Sequence, residues 1–195
     1  MNAIFDTFPV STDSVTGAVE LVEYGDALCY GSQHIRKAIC NILDQFQGQP
    51  FTYSYRHYPN PANDQSLLAA MATEAAKRQG KFWLMHNALF IQPLINCSVL
   101  AALASALELD LSRFLHDLVD DSLYDLIKTD WRIGYQLGVR YPPTLFIGGQ
   151  LFHGKPTQAR LAPIVQSHLS HFRLSVLNTV DQKSGVVHWG GNEFG

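Results

Sequence analysis

Val19 to Tyr24 is an apolar, strand-like run that stops at a Gly25-Asp26 turn. From Gly31 to Phe46 the apolar residues Ile35, Ala38, Ile39, Ile42, Leu43 and Phe46 recur at helical spacing, which predicts a helix with one buried face. Gly48 stops it. Phe51 to Tyr58 alternates and is rich in aromatics, so it predicts a second strand, ended by Pro59 and Pro61.

The pattern then changes. Residues 63–138 predict four or five helices and no strand: Leu67–Arg78, Lys81–Phe90, Ser98–Leu107 with Ser98 as N-cap, Leu111–Leu118 and Leu123–Leu137. Thr144–Ile147 and Gln150–Phe152 flank Gly148-Gly149, a pair that tolerates the positive φ angles of a type I′ hairpin turn. Pro156–Leu169 predicts a last helix. Residues 1–17 read as a loose polar arm. Residues 172–195 read as a tail, either without fixed structure or adding an edge strand.

This order is β-α-β, a helical block, then β-β-α. Strands joined by a helix run parallel with a right-handed crossover, and the closing hairpin is antiparallel. The expected fold is therefore α/β: a mixed four-stranded sheet with helices on both faces and an all-helical insertion, about 63–138, between strands two and three.

The length of 195 residues suits one globular domain, expected over 18–171. With 14 basic and 17 acidic residues, the chain has no basic field for nucleic acid and no polybasic block for anionic lipid. Met1 to Ser14 lacks the basic and apolar parts of a signal peptide. No run approaches the roughly 18 apolar residues that span a bilayer. A soluble, cytoplasmic protein is expected, with no nucleic-acid or membrane partner. Three cysteines do not make a disulfide framework. If Cys29 and Cys40 lie on one helix, they stand about 16 Å apart, far beyond the roughly 7 Å limit for a bridge. Free thiols fit a reducing compartment.

The chemistry centres on Cys29. A thiol at a helix N-terminus meets unpaired N–H donors and the positive end of the helix dipole, and both favour the thiolate. A thiolate attacks a disulfide sulfur and forms a mixed disulfide. Ser32, three residues on, cannot resolve that adduct, because its hydroxyl is far too basic. It is expected to donate a hydrogen bond to the Cys29 sulfur. Another protein thiol, a remote cysteine or glutathione as co-substrate would have to finish the cycle. The competing reading of Cys29 is a small buried hydrophobe.

Around it, Glu23 is either a proton acceptor for the thiol through water or a solvated strand-end charge. Asp26 reads as a turn or helix-start residue, His34 as an exposed helix histidine, and His57 and Tyr58 as packing. Cys40 reads as core, and Cys97 as structural, with a resolving role as its alternative. His168 and His171 have metal-ligand spacing, but nothing nearby completes a site, so no metal or bound cofactor is expected.

Four segments in order carry a resemblance: Val22-Glu23-Tyr24-Gly25-Asp26 before Cys29; Arg56-His57-Tyr58-Pro59; Gln79-Gly80-Lys81-Phe82-Trp83-Leu84-Met85-His86; and Val139-Arg140-Tyr141-Pro142-Pro143-Thr144-Leu145-Phe146-Ile147-Gly148-Gly149. Together they resemble the DsbA-like branch of the thioredoxin fold, over roughly residues 19–170. The resemblance implies a thiol-disulfide oxidoreductase fold with Cys29 as nucleophile, a cis-proline at Pro143 facing it, and Tyr30, Gly31, Pro142 and Pro143 meeting the substrate.

Two departures bear on chemistry. The family's Cys-x-x-Cys is Cys29-Tyr30-Gly31-Ser32 here. The residue before the cis-proline, which usually offers a backbone N–H to a bound peptide, is Pro142 and has none. Three readings follow: a monothiol oxidoreductase acting on protein disulfides or glutathione adducts, a redox-inactive binding module, and a glutathione-using transferase or isomerase.

Overall fold

The structure, a computed structural model, describes residues 18–183. The expected arm at 1–17 and the end of the expected tail, with its candidate edge strand, lie outside the described residues. Four strands form one mixed sheet in the order β2-β1-β3-β4: β1 (Val19–Gly25), β2 (Phe51–His57), β3 (Thr144–Ile147) and β4 (Gln150–Leu151). β1 is central. It runs parallel to β2, from Val19 beside Phe51 to Gly25 beside His57, and antiparallel to β3, from Leu21 beside Ile147 to Tyr24 beside Thr144.

The period of two along β1 sorts its side chains between two cores. Leu21 is fully buried with Ile39, Ile42 and Leu43 of helix α1 (Tyr30–Gln45) and with Leu161, Val165 and Leu169 of the last helix. Each such side chain contributes about 1.5–3 kcal/mol when removed from water. Tyr24, on the other face, packs with Tyr58, Val139 and Phe146.

The insertion comprises α2 (Asp64–Lys77), α3 (Phe82–Leu89), α4 (Cys97–Ala106), α5 (Leu111–Asp117) and α6 (Asp121–Gln136). It is tied to the end of β2 by polar contacts rather than by packing alone. His57 Nε2 lies 3.2 Å from Glu74 Oε1, both side chains buried, and within α2 Lys77 Nζ lies 3.2 Å from the other Glu74 oxygen, Oε2. The His57 backbone N–H donates to Asp130 of α6 at 3.1 Å. Burial pushes Glu74 up, but its contacts with His57 and Lys77 outweigh that and hold it below the usual carboxylate range. His57, read from sequence as packing, is therefore also half of a buried polar clamp with Glu74.

Of the element boundaries that differ from the sequence reading, two change an assignment. α4 starts one residue earlier than expected, so its N-cap is Asn96, whose side chain accepts from Val99 N–H at 2.9 Å, and not Ser98. The last helix, α7 (Gln158–Lys183), runs past Leu169 into the expected tail. Residues 170–183 contain neither Gly nor Pro and so offer no stop signal. Gly148 and Gly149 do take positive φ, 55° and 78°. Among the described residues no helix is long and apolar enough to cross a membrane.

Candidate active site

The corner between β1 and α1 is built around Asp26. Its carboxylate accepts the Leu28 N–H at 2.9 Å through Oδ1 and the Asn60 N–H at 3.1 Å through Oδ2. Its backbone carbonyl accepts the Cys29 N–H at 3.0 Å. The side chain thus closes its own turn, as Asp does in an Asx-turn, and also reaches the segment that leaves β2.

Cys29 follows as the N-cap of α1, with extended backbone at φ −79° and ψ 119°. Its carbonyl accepts the Gln33 N–H at 3.0 Å. The half-buried thiol makes no capping hydrogen bond; it donates to the Pro142 carbonyl at 3.3 Å. The Pro142–Pro143 peptide bond is cis. The loop also approaches closely at Gly31: a Cβ there would stand 2.7 Å from Pro143 Cδ and 3.6 Å from the Cys29 sulfur. Only glycine lets helix and proline meet at that distance. Tyr30 points outward, 73% exposed, with its ring 4.8 Å from that of His34, which is itself exposed.

Ser32 corrects the sequence reading. Its hydroxyl is 1% exposed and accepts the Asp26 N–H at 3.3 Å instead of donating to the Cys29 sulfur. One helical turn beyond the cap, its side chain faces back into the β1–α1 turn, where a backbone donor needs a partner. The thiol finds its acceptor across the cleft. Cys29, Ser32, Gly31, Pro142 and Pro143 are thus brought together, whereas Tyr30 stands at the rim.

The thiol opens on a groove of about 510 Å³. One wall is a stack of rings: Tyr58 on Trp131 and Trp131 on Tyr135, each pair 5.5 Å apart and within 9° of parallel. The Tyr58 hydroxyl donates to the Val139 carbonyl at 2.9 Å, which fixes the stack to the loop before the prolines. Pro59, Asn60 and Trp131 also line a smaller neighbouring hollow of about 310 Å³ that reaches Tyr124 and Lys128. The sequence treated Tyr58 as packing; its groove-wall role comes from how α6 crosses the sheet end, which local periodicity does not encode.

Beneath the corner lies Glu23, 3% exposed and so not a solvated charge. Tyr53 O–H donates to its Oε2 at 2.7 Å, and Oε1 has no hydrogen-bond partner among the described residues. Burial pushes Glu23 up to about 7; the Tyr53 hydrogen bond and the nearby Arg36 charge oppose that without cancelling it. At neutral pH this carboxyl is divided between its acid and base forms, which suits proton exchange. His86 of α3 is also buried, edge-on to Tyr55 and close to Phe90. Burial, followed by the charge of Arg36, drives it down to about 3, so it is neutral.

The other thiols stand apart. Cys40 is buried in the core, eleven residues along α1 from Cys29. Cys97 is exposed at the start of α4 and does not line the Cys29 groove. Among the described residues no group of three or more His, Cys, Asp or Glu is placed to hold a metal ion.

A thioredoxin family model matches residues 15–167. Among curated relatives, the chain is 33% identical over 158 residues to a Na(+)/H(+) antiporter, NhaA 1, of Salinispora arenicola, a match covering 80% of this chain and 24% of the antiporter. The chain spans about a quarter of the length of the curated relatives it matches. Two solved structures illustrate the fold. The thiol-disulfide exchange protein alpha-DsbA2 of Wolbachia pipientis superposes with a TM-score of 0.70 at 24% identity, covering 84% of this chain and 89% of that one. A thioredoxin-like oxidoreductase of Silicibacter pomeroyi gives 0.70 at 22% identity, covering 85% and 95%. The chain belongs to the thioredoxin family and has the fold of its DsbA-like members.

Proposed function

We propose that this protein is a monothiol thiol-disulfide oxidoreductase whose Cys29 forms mixed disulfides with protein or glutathione thiols in a reducing, cytoplasmic setting. One observation carries the reading. The Cys29 sulfur lies at the start of α1, opening on the groove and opposite Pro142, while the position one turn on holds a buried hydroxyl, not a second thiol. Such a thiolate can displace one sulfur of a disulfide and keep the other as an adduct. The Ser32 oxygen, bound to a backbone donor, cannot attack it. Cys40, in the core about 16 Å along the helix by its rise per residue, cannot reach it. A thiol from outside therefore releases the adduct. Glu23, beneath the corner with a pKa near neutrality, is suited to take the proton that Cys29 gives up.

The test is intact mass after incubation with oxidised glutathione, in a Cys97→Ser background that removes the exposed second thiol. Gain of one glutathione by that protein, and none after Cys29→Ser, supports the reading. No adduct in either form favours a redox-inactive binding module. Saturable glutathione binding without an adduct favours a glutathione-using transferase.

A further inference from the structure

Neither Pro142 nor Pro143 has an N–H, and the Pro142 carbonyl is engaged by Cys29. The loop facing the thiol therefore offers an extended substrate little backbone pairing at these two positions. Side chains must supply recognition there.

A second groove, of about 490 Å³, lies on the other side of the wall formed by Arg140 and Tyr141, which border both grooves. Pro143 and Phe152 line it, and its chargeable residues are Arg140, His153 and Lys155; its lining contains no Asp or Glu. The side chains of His153 and Lys155 are exposed and make no hydrogen bond or ion pair among the described residues. Arg140 donates only to the backbone carbonyls of Tyr135 and Val139, with no carboxylate against it. Arg160 lies over the Phe152 ring and donates to the His153 carbonyl, which steadies the loop that carries His153 and Lys155. A chain of net charge −3 thus gathers Arg140, which stacks over the Tyr135 ring, and the unpaired Lys155 in one hollow beside its nucleophile, with no carboxylate against either.

We propose that this groove binds an acidic segment of the protein whose disulfide Cys29 attacks, with Asp or Glu a few residues from the half-cystine. The inference rests on the reading of Cys29 as nucleophile. In the step it serves, the Cys29 thiolate attacks one sulfur of the substrate disulfide. The Cys29–substrate S–S bond forms, the original S–S bond breaks, and the second substrate sulfur leaves as a thiolate. No outside oxidant or reductant enters. Charge complementarity of this kind acts mainly on association rate and is screened by salt.

The experiment uses disulfide-linked peptides of one sequence that differ only in flanking residues, Asp-Glu, Asn-Gln or Lys-Lys, reacted with the Cys97→Ser protein. The expected result at low ionic strength is mixed-disulfide formation about tenfold faster with the acidic peptide than with the neutral one. The lysine peptide is expected to be slowest. The acidic-to-neutral rate ratio should fall toward one in Lys155→Glu and in His153→Glu, and in high salt. Equal rates for acidic and neutral peptides, or a ratio that survives both substitutions, overturn the proposal. Two further measurements separate it from the reading beneath it. Reaction with the neutral bis(2-hydroxyethyl) disulfide reports on Cys29 alone. Binding of a cysteine-free acidic peptide to the Cys29→Ser protein, followed by NMR, reports on the groove alone.

Discussion

Replacing Glu23 by glutamine should change the shape of the protein's pH–stability curve. Glu23 is held at about 7 in the fold against an ordinary 4.5. The folded chain therefore binds that proton more tightly than the unfolded chain. The associated stability is complete below pH 4.5 and is lost as pH rises to about 7, some 2.5 pH units at 1.36 kcal/mol each, or about 3 kcal/mol. His86 works in the opposite sense. It is held at about 3 against 6.5, so stability present above pH 6.5 is lost as pH falls toward 3, about 5 kcal/mol in all. Between pH 4.5 and 6.5 the two slopes cancel. Glu23→Gln removes one of them. Relative to wild type, its unfolding free energy should therefore rise by about 1.4 kcal/mol per pH unit across that window. His86→Phe should show the mirror image, falling relative to wild type. Urea denaturation followed by circular dichroism at pH 4.5, 5.5 and 6.5 reads both. Other titrating groups contribute equally to wild type and variant, so the difference isolates each residue. A Glu23→Gln curve parallel to wild type would refute the burial argument for this carboxyl.

Ser32→Cys places two thiols one helical turn apart and should yield an internal disulfide with Cys29; mass spectrometry should show loss of two hydrogens and no retained glutathione. Gly31→Ala drives a Cβ to 2.7 Å from Pro143 Cδ. It should cost about 1–3 kcal/mol by overpacking, seen in urea, and slow mixed-disulfide formation. Glu74→Ala leaves buried His57 without its partner and Lys77 without its anchor, and should destabilise by about 3 kcal/mol near neutral pH, measured by thermal or urea unfolding. A loss under 1 kcal/mol would mean that the His57–Glu74 contact contributes little to holding the insertion on β2.

The sheet was legible because β1 and β2 carry their own signals: an apolar run that halts at Gly25-Asp26, and an aromatic alternation that Pro59 ends. The insertion was legible as helices for the same local reason. Its orientation was not, since which face of α6 meets Tyr58 is settled by contacts between distant segments. Charged residues were the hardest. Glu23 sits at an inward position of a central strand, but a carboxylate is usually read as surface. Its place on the same face as Leu21 is the signal that could have found it. His86 likewise shares the stripe of Phe82, Met85, Leu89 and Phe90, and that spacing marks it as buried. For Ser32, sequence named the residue and missed the bond. A hydroxyl one turn into a helix can face the cap or the preceding turn, and the unpaired Asp26 N–H decides between them.

Asp26 binds two stretches of chain that are far apart in sequence. One carboxylate oxygen holds the amide beside the nucleophile, and the other holds the amide at the threshold of the insertion. Opening of one stretch therefore deprives the other of half its anchor. In native-state hydrogen exchange the Leu28 and Asn60 amides should open as a single cooperative unit. Asp26→Asn should lower their protection together. The nucleophile and the mouth of its groove then share one local stability, so a partner that clamps the insertion also quiets the thiol's own turn.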